Sequence, residues 1–305
     1  MKLSTLLRAT GQAAGLAAGL AACGGGDGGT TTPFTPTTQD VSIQFSAVAG
    51  SANTPVACGT LINGLGSTPT SAQLTDLRFY VTDVQLVNDK GVAVPVTLAA
   101  NAWQQTAGTN TVTLIDLENG QGACGSEGTA ATNAVVRGTV PGGNYVKVKA
   151  TLGVPEAMSH SDVMAAAAPL DIMAMGWSWQ AGRKFAKIEI NPVGGVSSAG
   201  ASVATYNVHL ASTDCTGRND GTDTCTKKNL SQFTLDFNAG TQQIAIDLAA
   251  LFAGTDVRNN QSDAVGCMSA TSDLDCAAIF TRFGLDLSTG GQAGTAQSVF
   301  RAIAK

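Results

Sequence analysis

Along much of this chain apolar and polar residues alternate with the period of two that belongs to β-strands. Val41, Ile43, Phe45 and Ala47 alternate with Ser42, Gln44 and Ser46. In Tyr145–Leu152 the residues Val146, Val148, Ala150 and Leu152 face one way, and Lys147 and Lys149 the other. Pro141-Gly142-Gly143-Asn144 turns the chain into that strand from one predicted over 134–140. Strands are also predicted over 77–87, 92–98, 112–117, 184–191, 204–211, 232–237 and 243–248, the first two joined by Asn88-Asp89-Lys90-Gly91. Helical pattern is short and late. Ser272 with Asp275 three residues on starts a helix through Phe283, and 295–304 reads as a terminal helical turn or two. The expectation is all-β: a single-domain sandwich or barrel with long functional loops and a few short helices.

The N-terminus reads differently. Lys2 and Arg8 flank the start of a Gly/Ala-rich apolar run that ends in Leu20-Ala21-Ala22-Cys23. This resembles a bacterial lipobox, and the run is too short to span a bilayer as a helix. Residues 1–22 are therefore expected to be a lipoprotein signal peptide and Cys23 the lipidated residue; the rival is an ordinary secretory signal cut nearby. Residues 24–39 are mostly Gly, Thr and Pro, a flexible tether with almost nothing to enter a core. Gly24 and Gly25, rather than Asp, follow Cys23, which resembles an outer-membrane lipoprotein more than an inner-membrane one. The expected product is a β domain over 40–305, lipid-anchored at the periplasmic face of the outer membrane or at the cell surface. Net charge is −5, with Lys and Arg scattered, which argues against a nucleic-acid partner.

Apart from Cys23 the chain has Cys58, Cys124, Cys215, Cys225, Cys267 and Cys276. An even set in an exported protein reads as a disulfide framework, and six cysteines allow fifteen pairings. The short spacings suggest Cys215–Cys225 and Cys267–Cys276 as local loops, leaving Cys58–Cys124. Zinc ligation is the rival, but no pair has C-x-x-C spacing.

Only two histidines occur. His160 sits in the long irregular stretch 154–180, and His209 in a strand where Tyr206, Val208 and Leu210 take the opposite face. Between the histidines lies Trp177-Ser178-Trp179, with two of the three tryptophans. Imidazole is the commonest metal ligand and suits copper and zinc, so two imidazoles flanking a Trp-x-Trp segment suggest a small metal site. The bland alternative is a solvated surface His209 and core-filling tryptophans. Met158, Met164, Met173 and Met175 lie in the same stretch. Thioethers are soft ligands for Cu(I), yet each Met is better read as a gap filler. Neither His-Glu-x-x-His nor Gly-x-Ser-x-Gly occurs. Asn219-Asp220-Gly221-Thr222-Asp223 has oxygen ligands for Ca²⁺ but does not match an EF-hand and is better read as a turn.

An ordered set of segments carries a family resemblance: Leu77-Arg78-Phe79-Tyr80-Val81, Leu114-Ile115-Asp116-Leu117-Glu118, Gly153-Val154-Pro155, His160, Pro169-Leu170, Trp177-Ser178-Trp179-Gln180-Ala181-Gly182, Val208-His209-Leu210, Ser212-Thr213-Asp214-Cys215 and Gly266-Cys267-Met268-Ser269. No piece is specific alone. Together, from about Val41 to Arg301, they resemble the MbnP-like copper-binding proteins, also called the metallo-mystery-pair four-Cys family. The resemblance implies a periplasmic Cu(I) binder with no turnover of its own, and a MauG-like di-haem cytochrome c peroxidase as partner. That partner oxidises one tryptophan to kynurenine. Carried over, His160 and His209 are the imidazole ligands, and Trp177 or Trp179 is the residue converted; Trp103 matches no such motif. An indole has no lone pair to give a metal, whereas kynurenine has an aryl amine and a ketone. Three positions depart from the family's pattern: Ser159 stands for Asn, Arg183 for Tyr and Ala211 for Gly. The role implied is copper acquisition, storage or delivery. Two other classes compete: a surface interaction lipoprotein with incidental histidines, and an enzyme whose copper–kynurenine centre does redox chemistry.

Overall fold

A computed structural model describes residues 37–177, 182–218, 221–262 and 264–305. The expected signal peptide, Cys23, most of the expected tether, Trp179, Asn219 and Asp220 lie outside the described residues.

Two sheets face one another. The smaller has strands in the order Phe300–Ala304, Gln242–Asp247, Thr38–Ala49, Val135–Pro141 and Thr97–Leu98. Thr38–Ala49 runs parallel to Gln242–Asp247 and antiparallel to Val135–Pro141. The larger runs Ser231–Asp236, Tyr145–Leu152, Thr70–Asn88, Ala186–Pro192, Tyr206–Leu210 and Gly266–Cys267. The strand Asn110–Asp116 also pairs with Thr70–Asn88. Aromatic rings knit the sheets together. Phe45 of the smaller sheet meets Phe79 of the larger edge-on at 5.7 Å, and Phe300 stacks on Phe233 at 4.7 Å. Among the alternatives read from sequence, the architecture is the sandwich and not a closed barrel.

The alternation in Thr38–Ala49 is borne out, with Val41, Ile43, Phe45 and Ala47 buried and Ser42 and Gln44 exposed. Thr70–Asn88 begins earlier than its pattern predicts. Its residues 74–84 are almost continuously buried, because this sheet is covered on both faces, by the other sheet within and by loops without. Such a strand loses the period-two signal that marks its start. Val146 is 40% exposed, so the inward face of Tyr145–Leu152 begins only at Val148.

Two expectations need correction. Residues 300–304 form a strand and not a helical turn, pairing antiparallel with Gln242–Asp247. The apolar side chain Phe300 packs between the sheets, a tertiary gain that outweighs local helix propensity in Ala302 and Ala304. The late helix is confined to Cys276–Arg282, since Cys276 is tied back to Cys267. Among the described residues no helix is long and apolar enough to cross a membrane.

All three expected disulfides are formed: Cys58–Cys124, Cys215–Cys225 and Cys267–Cys276. With every one of these thiols consumed, the zinc alternative has no thiolates.

Candidate metal centre

The outer face of the larger sheet carries a row of directly opposed residues on four neighbouring strands. Asp116 pairs with Arg78, Arg78 with Lys187, and Lys187 with His209. Opposed residues share a face, so all four point away from the sandwich core. One row over, Asp76 is paired with Glu189 and Glu189 with Asn207. The side chains interlock accordingly. Lys187 Nζ lies 2.6 Å from Asp76 Oδ2, 2.6 Å from Glu127 Oε2 and 3.1 Å from Glu189 Oε1. Arg78 Nε donates to Asp76 Oδ1 at 2.8 Å. Asp76, Glu127 and Glu189 are spaced to hold a cation, and the Lys187 ammonium takes that place.

His209 is at the end of the row, with Nε2 2.6 Å from Glu189 Oε1. Burial pushes the imidazole below its ordinary value, against the pull of Glu189. Burial alone would raise Glu189, but the hydrogen bond from His209 and the Lys187 charge prevail and bring it down to about 2. The pair is thus a neutral imidazole donating to a carboxylate, the arrangement that holds metal-ligating histidines in place elsewhere.

Trp177 covers His209. Their rings meet edge-on at 6.0 Å and 86°, and Trp177 is 4% exposed. Trp177 lies in a two-residue strand, Gly176–Trp177, paired with Gly182–Arg183. Its partner across that hairpin is Gly182, and a Cβ on Gly182 would stand 3.1 Å from both Cε1 and Nδ1 of His160. Glycine there makes room for the imidazole. One hairpin is therefore the common neighbour of both histidines.

His160 is buried at the C-terminal end of the short helix Glu156–Ser159. Its Nε2 lies 3.4 Å from Cys225 Sγ, so the Cys215–Cys225 disulfide walls the imidazole. Glu156 Oε1 accepts from the Cys225 backbone N–H at 3.0 Å and fastens the helix to that disulfide. Arg183, buried, donates to the carbonyls of Ser159 at 3.1 Å and Ser161 at 2.6 Å through Nη1, and to that of Leu170 at 2.9 Å through Nε. Lys184 Nζ donates to the carbonyls of Ala174 and Gly176 at 2.9 and 3.1 Å. Two adjacent cations, at the end of the returning strand and just past it, thus pin the irregular loop.

The structure thus places Trp177 against His209 and its hairpin partner Gly182 against His160. The loop methionines divide: Met158 and Met175 are buried fillers, whereas Met164 and Met173 are exposed at 79% and 64%. Asp223 of the Ca²⁺ candidate accepts from Thr216 Oγ1 and the Arg218 backbone N–H, as a turn residue would. Sequence reasoning missed Glu189, Lys187 and Asp76. The signal was present in Lys187-Ile188-Glu189-Ile190, where charges alternate with isoleucines in a strand.

Fold and site together define a disulfide-laced β-sandwich in which a buried His160 and a half-buried His209 each lie against one strand of a tryptophan hairpin. Residues 38–269 match the MbnP family model, and the chain belongs to that family, which is associated with copper. Among solved structures it is similar to MbnP from Methylosinus trichosporium, at 32% identity and a TM-score of 0.79, covering 88% of this chain and 99% of that one. No curated protein matches the chain.

Proposed function

We propose that this protein binds one Cu(I) through His160 and His209 beside the Trp177 hairpin, for copper acquisition, storage or delivery, and carries out no turnover of its own. The observation that carries the reading is the edge contact of Trp177 with His209, on the hairpin whose other strand abuts His160. The donor set suits a soft d¹⁰ ion that tolerates low coordination and neutral nitrogen ligands. Copper would be the cargo of this site.

In the same proposal a di-haem cytochrome c peroxidase of the MauG type oxidises Trp177 or Trp179 to kynurenine. Two peroxides give two oxygen atoms to the indole ring and leave as two waters, forming N-formylkynurenine; hydrolysis then releases formic acid and leaves kynurenine. The product's amine and ketone add donors that the indole lacks. Signal-peptide removal and lipidation of Cys23 complete the picture of a periplasmic copper protein on a tether at the outer membrane.

The test is a Cu(I) titration against a competing chelator. One tight equivalent is expected, greatly weakened in His160→Ala and in His209→Ala alike. Parent-like binding in both variants would rule out this ligand set.

A further inference from the structure

Building on the copper reading, we infer that Glu189 is a positioning residue that commits His209 to bind the metal through Nδ1. A carboxylate only accepts hydrogen bonds, so the nitrogen facing Glu189 Oε1 at 2.6 Å must carry the proton. In a neutral imidazole that leaves the lone pair on Nδ1. The carboxylate is itself held. Lys187 Nζ lies 3.1 Å from the same Oε1, and Lys187 is clamped by Asp76 and Glu127, each at 2.6 Å. Arg78 fixes Asp76 through Nε at 2.8 Å. Apart from Glu127, which follows the short helical turn Gly122–Ser126, the groups in this chain of contacts are placed by strand register. Lys187 is the direct partner of His209, and Glu189 stands two residues further along the same strand, on the same face. An ammonium has only protons to offer, so the polarity of the chain has one sense: the Lys187 ammonium faces Glu189, and His209 donates to it as well.

The experiment reads the tautomer in the metal-free protein, where copper is irrelevant. Long-range ¹H–¹⁵N spectra resolve the two ring systems, and His209→Ala assigns them. Wild-type His209 is expected to be protonated at Nε2 and bare at Nδ1, with Cu(I) perturbing Nδ1. Glu189→Gln keeps the shape but has an amide that donates as well as accepts, and Glu189→Leu removes the acceptor. Both should lose the single tautomer and bind Cu(I) about 10–100-fold more weakly. A proton on Nδ1 in the wild type, or an unchanged tautomer with unchanged affinity in Glu189→Leu, would overturn the inference. The expected tautomer in a protein that takes up no Cu(I) would instead overturn the copper reading and the ligand assignment, leaving Glu189's hold on His209 intact. If Glu189→Leu fails to fold, the wild-type tautomer alone still decides.

Discussion

Asp116 and His209 stand at the two ends of one row of opposed residues, with Arg78 and Lys187 between them. The row and its neighbours hold two cations against Asp76, Asp116, Glu118, Glu127 and Glu189. Arg78 and Lys187 both turn toward Asp76. Glu118 is served by the backbone N–H groups of Gly120 and Thr129, each at 2.8 Å. Asp116 is left with the least support. Burial, and then the nearby Glu118 charge, push its carboxyl up to about 7 from 3.8.

A pH dependence follows. A carboxyl raised in the folded state binds its proton more tightly there than in the unfolded chain. Its stabilisation is complete below the unfolded value of 3.8 and is lost as pH rises through about 7. Asn at this position keeps the oxygen that accepts from the Glu118 N–H at 3.3 Å and never ionises. Asp116→Asn should therefore gain stability over the parent between pH 4 and pH 8, by on the order of 3 kcal/mol. Denaturant melts of both proteins across that range check the point; parallel stability curves would refute it.

Arg183 and Ser159, two of the three departures expected from the resemblance, touch. Arg183 donates its backbone N–H to Ser159 Oγ and its Nη1 to the Ser159 carbonyl. Arg183→Met would leave the carbonyls of Ser159, Ser161 and Leu170 without this donor in a buried setting, at a cost of roughly 2–4 kcal/mol. It should also free His160 to wander, because Ser159 and Ser161 flank it. The expected result is a lower melting temperature together with weaker Cu(I) binding. Loss of stability with unchanged copper affinity would mean that Arg183 supports the fold but not the site.

Strand identity was legible wherever one face of a strand meets water. Ser42 and Gln44 mark the outward face of Thr38–Ala49, and the lysines mark that of Tyr145–Leu152. It faded in Thr70–Asn88, where both faces are covered and Leu74, Thr75, Asp76 and Leu77 are all buried. His209's outward placement followed from parity with Val208 and Leu210, and its neighbour Trp177 from proximity in a motif. Glu189 escaped notice because a charge in a strand reads locally as a solvated position; only the pairing of Ala186–Pro192 with Tyr206–Leu210 brings it to His209. Ala302 and Ala304 look helical by propensity, and only a partner distant in sequence makes them strand.

The three disulfides differ in the loops they close. Cys58 and Cys124 are 66 residues apart, whereas Cys267 and Cys276 are 9 apart. Loop entropy predicts about 4 kcal/mol for the long bridge and about 3 for the short one. Replacing each pair by alanines should rank them in that order in denaturant melts. Alkylation without reductant, under denaturing conditions, should find no free thiol among the six. Removing Cys215–Cys225 should also weaken Cu(I) binding, since Cys225 Sγ lies against His160; removing Cys58–Cys124, where Cys124 Sγ lies against the Leu74 carbonyl, should not. Equal copper affinity in both double variants would show that the disulfide wall is not needed.

Trp177 and Trp103 offer a paired control for the oxidation. Trp177 lies edge-on to His209 within the hairpin, and Trp103 packs against the core far along the chain, in the loop before Gln104–Ala107. In the proposed reaction a di-haem partner docked over the loop would take electrons from the indole without touching it, so burial of Trp177 at 4% exposure would not protect it. Treatment with the partner and peroxide should first add two oxygens, then lose the formyl group. Peptide mapping should place the change at Trp177 or Trp179 and leave Trp103 intact. Neither histidine need take part in electron loss from the indole, so His160→Ala and His209→Ala should still be oxidised. Modified protein should bind Cu(I) more tightly than the unmodified chain, because the new amine and ketone supply donors that tryptophan lacks. Trp177→Phe and Trp179→Phe separate the two sites: whichever substitution abolishes the mass change marks the target. Oxidation confined to Trp103, or tighter copper binding without any change at Trp177 or Trp179, would refute the assignment.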